Sequence, residues 1–71
     1  MTVRGYEVEV EMPTLILVGR DGNAFAILGN AKKVMREAKW PKELQDEIMD
    51  EATSGDYNHL IQTMMKYFDV E

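Results

Sequence analysis

The chain has 71 residues with no cysteine and a single histidine, which excludes a disulfide framework, a thiolate zinc site, a cysteine nucleophile and a His-rich metal centre. With 45% apolar and 30% charged residues it falls in the ordinary globular range, so one small packed domain spanning 1–71 is expected rather than a disordered chain. Eight basic against thirteen acidic residues leave a net charge of −5, the wrong sign for general attraction to nucleic acid, and no apolar run approaches the roughly 20 residues that cross a bilayer. A cytoplasmic protein without cofactor, membrane or direct nucleic-acid partner is the expectation.

Tyr6, Val8, Val10 and Met12 alternate with Glu7, Glu9 and Glu11, the period-two pattern of a half-buried strand. Thr14 to Val18 reads as a second strand that closes a hairpin after Met12-Pro13, and Gly19-Arg20-Asp21-Gly22-Asn23 reads as a turn. From Ala24, the residues Phe25, Ile27, Leu28, Ala31, Val34, Met35 and Ala38 recur at three and four, predicting a first helix capped by Asn23 or Asp21. Gly29 within it implies a close backbone approach. Pro41 suits the start of a second helix with Leu44, Ile48 and Ala52 inward. Thr53-Ser54-Gly55-Asp56 stops it, with Gly55 suited to a left-handed cap and Ser54 or Asp56 to capping a third helix. Tyr57, Leu60, Ile61, Met64 and Phe68 form the apolar stripe of that helix. The predicted fold is α+β: an N-terminal β-hairpin followed by three α-helices (ββααα). Its small size and open hairpin edge favour a homodimer or higher oligomer.

Charge is polarised along the chain. Residues 1–19 carry −2, residues 20–42 carry +4, residues 43–56 carry −6 and the remainder −1. A basic helix end before an acidic helix start suits both helix dipoles. The sharper reading makes the acidic helix, with Glu43, Glu47 and Asp50, a partner-binding face beside Trp40, or an acidic DNA mimic that occupies the phosphate channel of a nuclease.

Two loops gather the distinctive polar groups. Gly19–Asn23 leads into a helix N-terminus, where backbone N–H groups and the helix dipole favour an anion, with Arg20 and Asn23 as its side-chain contacts. A glycine turn with a helix cap accounts for the same residues. Ser54-Gly55-Asp56-Tyr57-Asn58-His59 opens another helix. Asp56 and His59, three apart, fall on one face, as an acid–base pair would, although helix capping by Ser54 and Asp56 explains the string equally. These loops nominate Arg20, Asn23, Ser54, Asp56, Tyr57 and His59 as ligand-binding residues, and no residue as a metal ligand.

The strings Gly19-Arg20-Asp21-Gly22-Asn23-Ala24-Phe25-Ala26-Ile27-Leu28-Gly29 and Ala52-Thr53-Ser54-Gly55-Asp56-Tyr57-Asn58-His59-Leu60, with the Asp69-Val70-Glu71 ending, resemble a family of small phage, prophage and plasmid proteins of uncharacterised activity. The resemblance covers about residues 13 to 71. It implies a setting, not a mechanism: small phage accessory proteins bind host defence factors or sequester nucleotide signals. The expected function is a non-enzymatic binding protein that acts against a host defence, by holding a phosphate-bearing, nucleotide-like ligand or by blocking a host defence protein. The alternatives are the DNA-mimic inhibitor and a small hydrolase using Asp56 and His59.

Overall fold

The computed structural model describes residues 1–17 and 23–71. The expected turn at Gly19–Gly22, with Arg20, and the last residue of the expected second strand, Val18, lie outside the described residues. The architecture is α+β, an N-terminal hairpin followed by three helices. In chain order it runs β1 (Thr2–Val3), β2 (Tyr6–Glu7), β3 (Thr14–Leu15), α1 (Ala24–Glu37), α2 (Lys42–Ala52), α3 (Tyr57–Tyr67) and β4 (Asp69–Val70).

The hairpin forms earlier in the chain than the alternation implied. β1 pairs antiparallel with β2, Val3 opposite Tyr6, across a two-residue turn in which Arg4 (φ 51°) and Gly5 (φ 86°) both take the left-handed conformation. Positive φ at both central positions is the backbone whose twist matches a tight hairpin. β3 is not the return strand of that hairpin. It pairs in parallel with β4, Thr14 beside Asp69 and Leu15 beside Val70, so the two flanks of the helical region are tied together. Of the alternating residues only Val8 is buried. Val10 and Met12, expected inward, are exposed, because the strand ends at Glu7 and the later residues have no sheet to lean on.

The helices follow the expected spacing. Ile27, Ala31 and Met35 bury one face of α1, Leu44, Ile48 and Ala52 that of α2, and Leu60, Thr63, Met64 and Tyr67 that of α3. These faces meet Leu15, Trp40 and Phe68 in one core. Asn23 caps α1, its Oδ1 accepting the Ala26 N–H at 2.8 Å, and Asp56 caps α3, accepting the His59 N–H at 2.9 Å. Helix α1 ends in a Schellman motif: the Trp40 N–H donates to the Met35 carbonyl (3.1 Å) and that of Lys39 to Arg36 (3.0 Å). Lys39 occupies the left-handed position of this motif, φ 61°, where glycine is the usual residue. Among the described residues no helix is long and apolar enough to cross a membrane.

Expectations change at five single residues. Trp40, expected on a partner-facing surface, is only 3% exposed; its ring stacks on Phe68 with centroids 5.7 Å apart and its Nε1 donates to the Val10 carbonyl at 2.8 Å. An indole that satisfies its one donor internally has no reason to face solvent. Gly29 has nothing within 4 Å of where a Cβ would sit, so no close approach explains it. Gly55 is not left-handed; it is required for room, since a Cβ there would lie 2.9 Å from the His59 Cβ and Cγ. Phe25 and Tyr57, expected to face inward, stand 87% and 47% exposed. Phe25 precedes Ile27 by two positions, which on a helix is the opposite face.

Candidate functional site

The start of α1 and the corner between α2 and α3 meet across a cleft of 310 Å³, lined on one side by Ala24, Phe25 and Leu28 and on the other by Ala52, Thr53, Gly55, Asp56, Tyr57 and Leu60. Two distant sequence segments are thus brought together. One follows directly on the first loop that the sequence nominated, and the other contains the second. The lining is mainly apolar. The N-termini of α1 and α3 both lie at this end, and each leaves first-turn N–H groups that the helix itself does not satisfy.

The nominated residues take different roles around the cleft. Asp56 and Tyr57 line it; Asn23 sits one residue before the wall as the α1 cap. Ser54 and His59 hold the corner together. The Glu51 carbonyl, near the end of α2, accepts from the Ser54 N–H (3.2 Å), the Ser54 hydroxyl (2.7 Å) and His59 Nε2 (2.8 Å). A carbonyl only accepts, so Nε2 carries the imidazole proton. Ser54 Oγ is also 3.1 Å from Nε2, yet a protonated nitrogen cannot take a proton from that hydroxyl, and the hydroxyl hydrogen is already directed at Glu51. The Asp56 carboxylate accepts the His59 backbone N–H rather than orienting the imidazole. The geometry of the corner is therefore that of two caps back to back.

The acidic helix divides in two. Glu43, Asp46 and Asp50 are exposed, with Lys42 paired to Asp46 one turn on at 3.4 Å. Glu47 and Glu51 instead anchor the hairpin. Arg4 Nε donates to Glu47 Oε1 (3.2 Å) and its Nη1 to Glu51 Oε1 and the Tyr67 hydroxyl (3.0 Å). Tyr6 donates to Glu47 Oε2, Tyr67 to Glu51 Oε1 (2.8 Å) and Lys66 to Glu51 Oε2 (3.2 Å). The Tyr6 hydrogen bond, helped by Arg4, holds the Glu47 carboxyl below its ordinary pKa, and the Tyr67 hydrogen bond, helped by Lys66, does the same for Glu51. The partners shift reciprocally: Glu47 pushes the Tyr6 phenol up, and Glu51 pushes the Lys66 ammonium up. Glu47, nominated as a partner contact, is thus occupied inside the molecule.

Sequence reasoning missed Phe25 as a site residue and Arg4, Tyr6, Glu51 and Tyr67 as a network. Phe25 was legible, since it lies off the Ile27-Ala31-Met35 series. The network joins residues far apart in the chain, and no local spacing announces it. Comparison with protein-family models, curated proteins and solved structures finds no match to this chain.

Proposed function

We propose that this protein works by binding and not by turnover: in the host cytoplasm it holds a small ligand with a planar ring and a phosphate in the cleft between α1 and the α2–α3 corner, and so acts against a host defence. The setting rests on the resemblance to phage proteins. The binding mode rests on one observation, the convergence of exposed Phe25 and Tyr57 with two helix N-termini on a single apolar-lined cleft. A base or similar ring suits the apolar walls and aromatic rims, and an anionic group suits the first-turn N–H groups of α1, whose cap Asn23 is neutral, rather than those of α3 beside the Asp56 carboxylate. The hydrolase reading loses support because Ser54 and His59 donate to the same carbonyl. A second reading, an acidic face that occupies a basic channel of a host protein, is favoured by the exposure of Glu43, Asp46 and Asp50, and charge reversal at Glu43 and Asp50 tests it.

Calorimetric titration of the purified protein with ribonucleoside mono- and diphosphates and with cyclic nucleotides tests the ligand reading. Saturable binding that Phe25→Ala and Tyr57→Ala each abolish, with Trp40 fluorescence unchanged, is the expected result. No saturable binding across the series, with no amide shift around the cleft by NMR, overturns it.

A further inference from the structure

Among the described residues, the parallel pairing leaves one edge of β3 open. Toward β4, the Asp69 N–H donates to the Pro13 carbonyl (3.0 Å), the Glu71 N–H to Leu15 (2.9 Å), and the Leu17 N–H to Glu71 (2.7 Å). Backbone groups alternate along a strand, so with 13, 15 and 17 turned to β4, the N–H and C=O of Thr14 and Ile16 point the other way. That side opens on a groove of 220 Å³ between β3 and α1, whose helical wall includes Lys33, Val34 and Glu37. Leu15 is completely buried beneath, while Ile16 stands 51% exposed at the groove. An apolar residue displayed on an open edge normally invites another strand, and no charge or proline on Thr14 or Ile16 guards this one.

We infer that the open edge of β3 is the interface with a second copy of this chain, joined by antiparallel pairing of β3 with its symmetry mate into a four-stranded sheet, β4-β3-β3-β4. The register follows from the pattern of free groups. A two-fold axis at Leu15 places Thr14 opposite Ile16 of the copy, and such a pair exchanges both N–H···O bonds; the mirrored pair does the same, so all four outward N–H groups and carbonyls are matched with none left over. The same axis sets the groove wall against its own copy. That wall carries one cation and one anion a helical turn apart, Lys33 and Glu37, and an axis that crosses α1 midway between them sets each against its opposite rather than its like. A host peptide added as a strand satisfies the backbone but has no reason to match this internal charge pair.

Sedimentation velocity or light scattering of the full chain, at concentrations across the micromolar range, reads the result. The wild type is expected to run at twice 8.2 kDa. Ile16→Pro is the decisive variant, because the lost N–H points away from β4; it raises the dissociation constant about tenfold or more while Trp40 fluorescence, and the unfolding midpoint at concentrations where both proteins are monomeric, hold. Lys33→Glu weakens the dimer and the exchange Lys33→Glu with Glu37→Lys restores it. A wild type that stays monomeric throughout overturns the inference. So does a dimer that Ile16→Pro leaves intact, which would place the interface elsewhere.

Discussion

Phe68 is the residue on which the closure of the fold depends, and its removal has a calculable cost. It is 1% exposed, stacks on Trp40, caps the end of α3 through its N–H to Met64 (2.9 Å) and directly precedes β4. Truncation to alanine in a packed core costs about 3–5 kcal/mol, of which the lost ring pair accounts for about 0.5–1.5 kcal/mol. A chain of this length has on the order of 7 kcal/mol of stability at about 0.1 kcal/mol per residue, so Phe68→Ala removes about half of it. With a urea slope of about 1 kcal/mol/M for so small a domain, the midpoint falls by about 3–5 M. Trp40 is the sole tryptophan and reports the transition directly by fluorescence. Phe68→Leu keeps most of the volume and loses the stacking, so it moves the midpoint by about 1–2 M. If Phe68→Ala shifts the midpoint by less than about 1 M, Phe68 does not hold the helices to β4 and the description of the core is wrong.

Other perturbations bear on the turns and the ionic network. Lys39→Gly relieves a left-handed non-glycine residue at the end of α1 and is expected to stabilise the fold by about 0.5–1 kcal/mol, read as a higher urea midpoint. Gly55→Ala drives a Cβ into the Cβ and Cγ of His59 and costs about 1–3 kcal/mol; in the Gly55→Ala, His59→Gly double variant, which removes both of those atoms, most of the added cost disappears, and strict additivity of the two single changes would disprove the clash. Glu47 and Glu51 have folded pKa values below their unfolded ones, so their contribution is present above the unfolded carboxyl pKa and is lost as pH falls through the folded values. The urea midpoint should therefore drop on acidification below about pH 4.5, and Glu47→Gln with Glu51→Gln should flatten that dependence; an unchanged acid slope would show that the two carboxylates bear no stabilising bonds.

The helices were legible because burial repeats at their period: Ile27-Ala31-Met35 and Leu44-Ile48-Ala52 are single faces at a spacing of four, and Asn23 and Asp56 are side chains that cap. The strand partners were not. Tyr6 to Met12 alternates as a strand does, yet only Tyr6 and Glu7 pair, since the tight turn sits at Arg4-Gly5, a pair without the Asn-Gly or Asp-Gly signal of such turns. β3 was correctly placed at Thr14 but given a local partner, because a parallel pairing between distant segments has no turn to announce it. At the candidate site, the sequence pointed to the starts of α1 and α3, and the fold joins them at one cleft. What it could not separate was a polar group that caps from one that awaits a ligand, as Ser54 and His59 show; that distinction depends on where the Glu51 carbonyl ends up.

The pairing of β3 with β4 also has a consequence for how the chain is made. Leu15 belongs to the core, but the strand that seats it is synthesised only after all three helices. The helices between them form from local contacts and have low contact order, whereas this closure spans the whole helical region and carries its full loop entropy. On a ribosome, β3 waits with both edges open until Asp69 and Val70 leave the exit tunnel. Closure of the fold is then one late step, taken after the helices it encloses have formed.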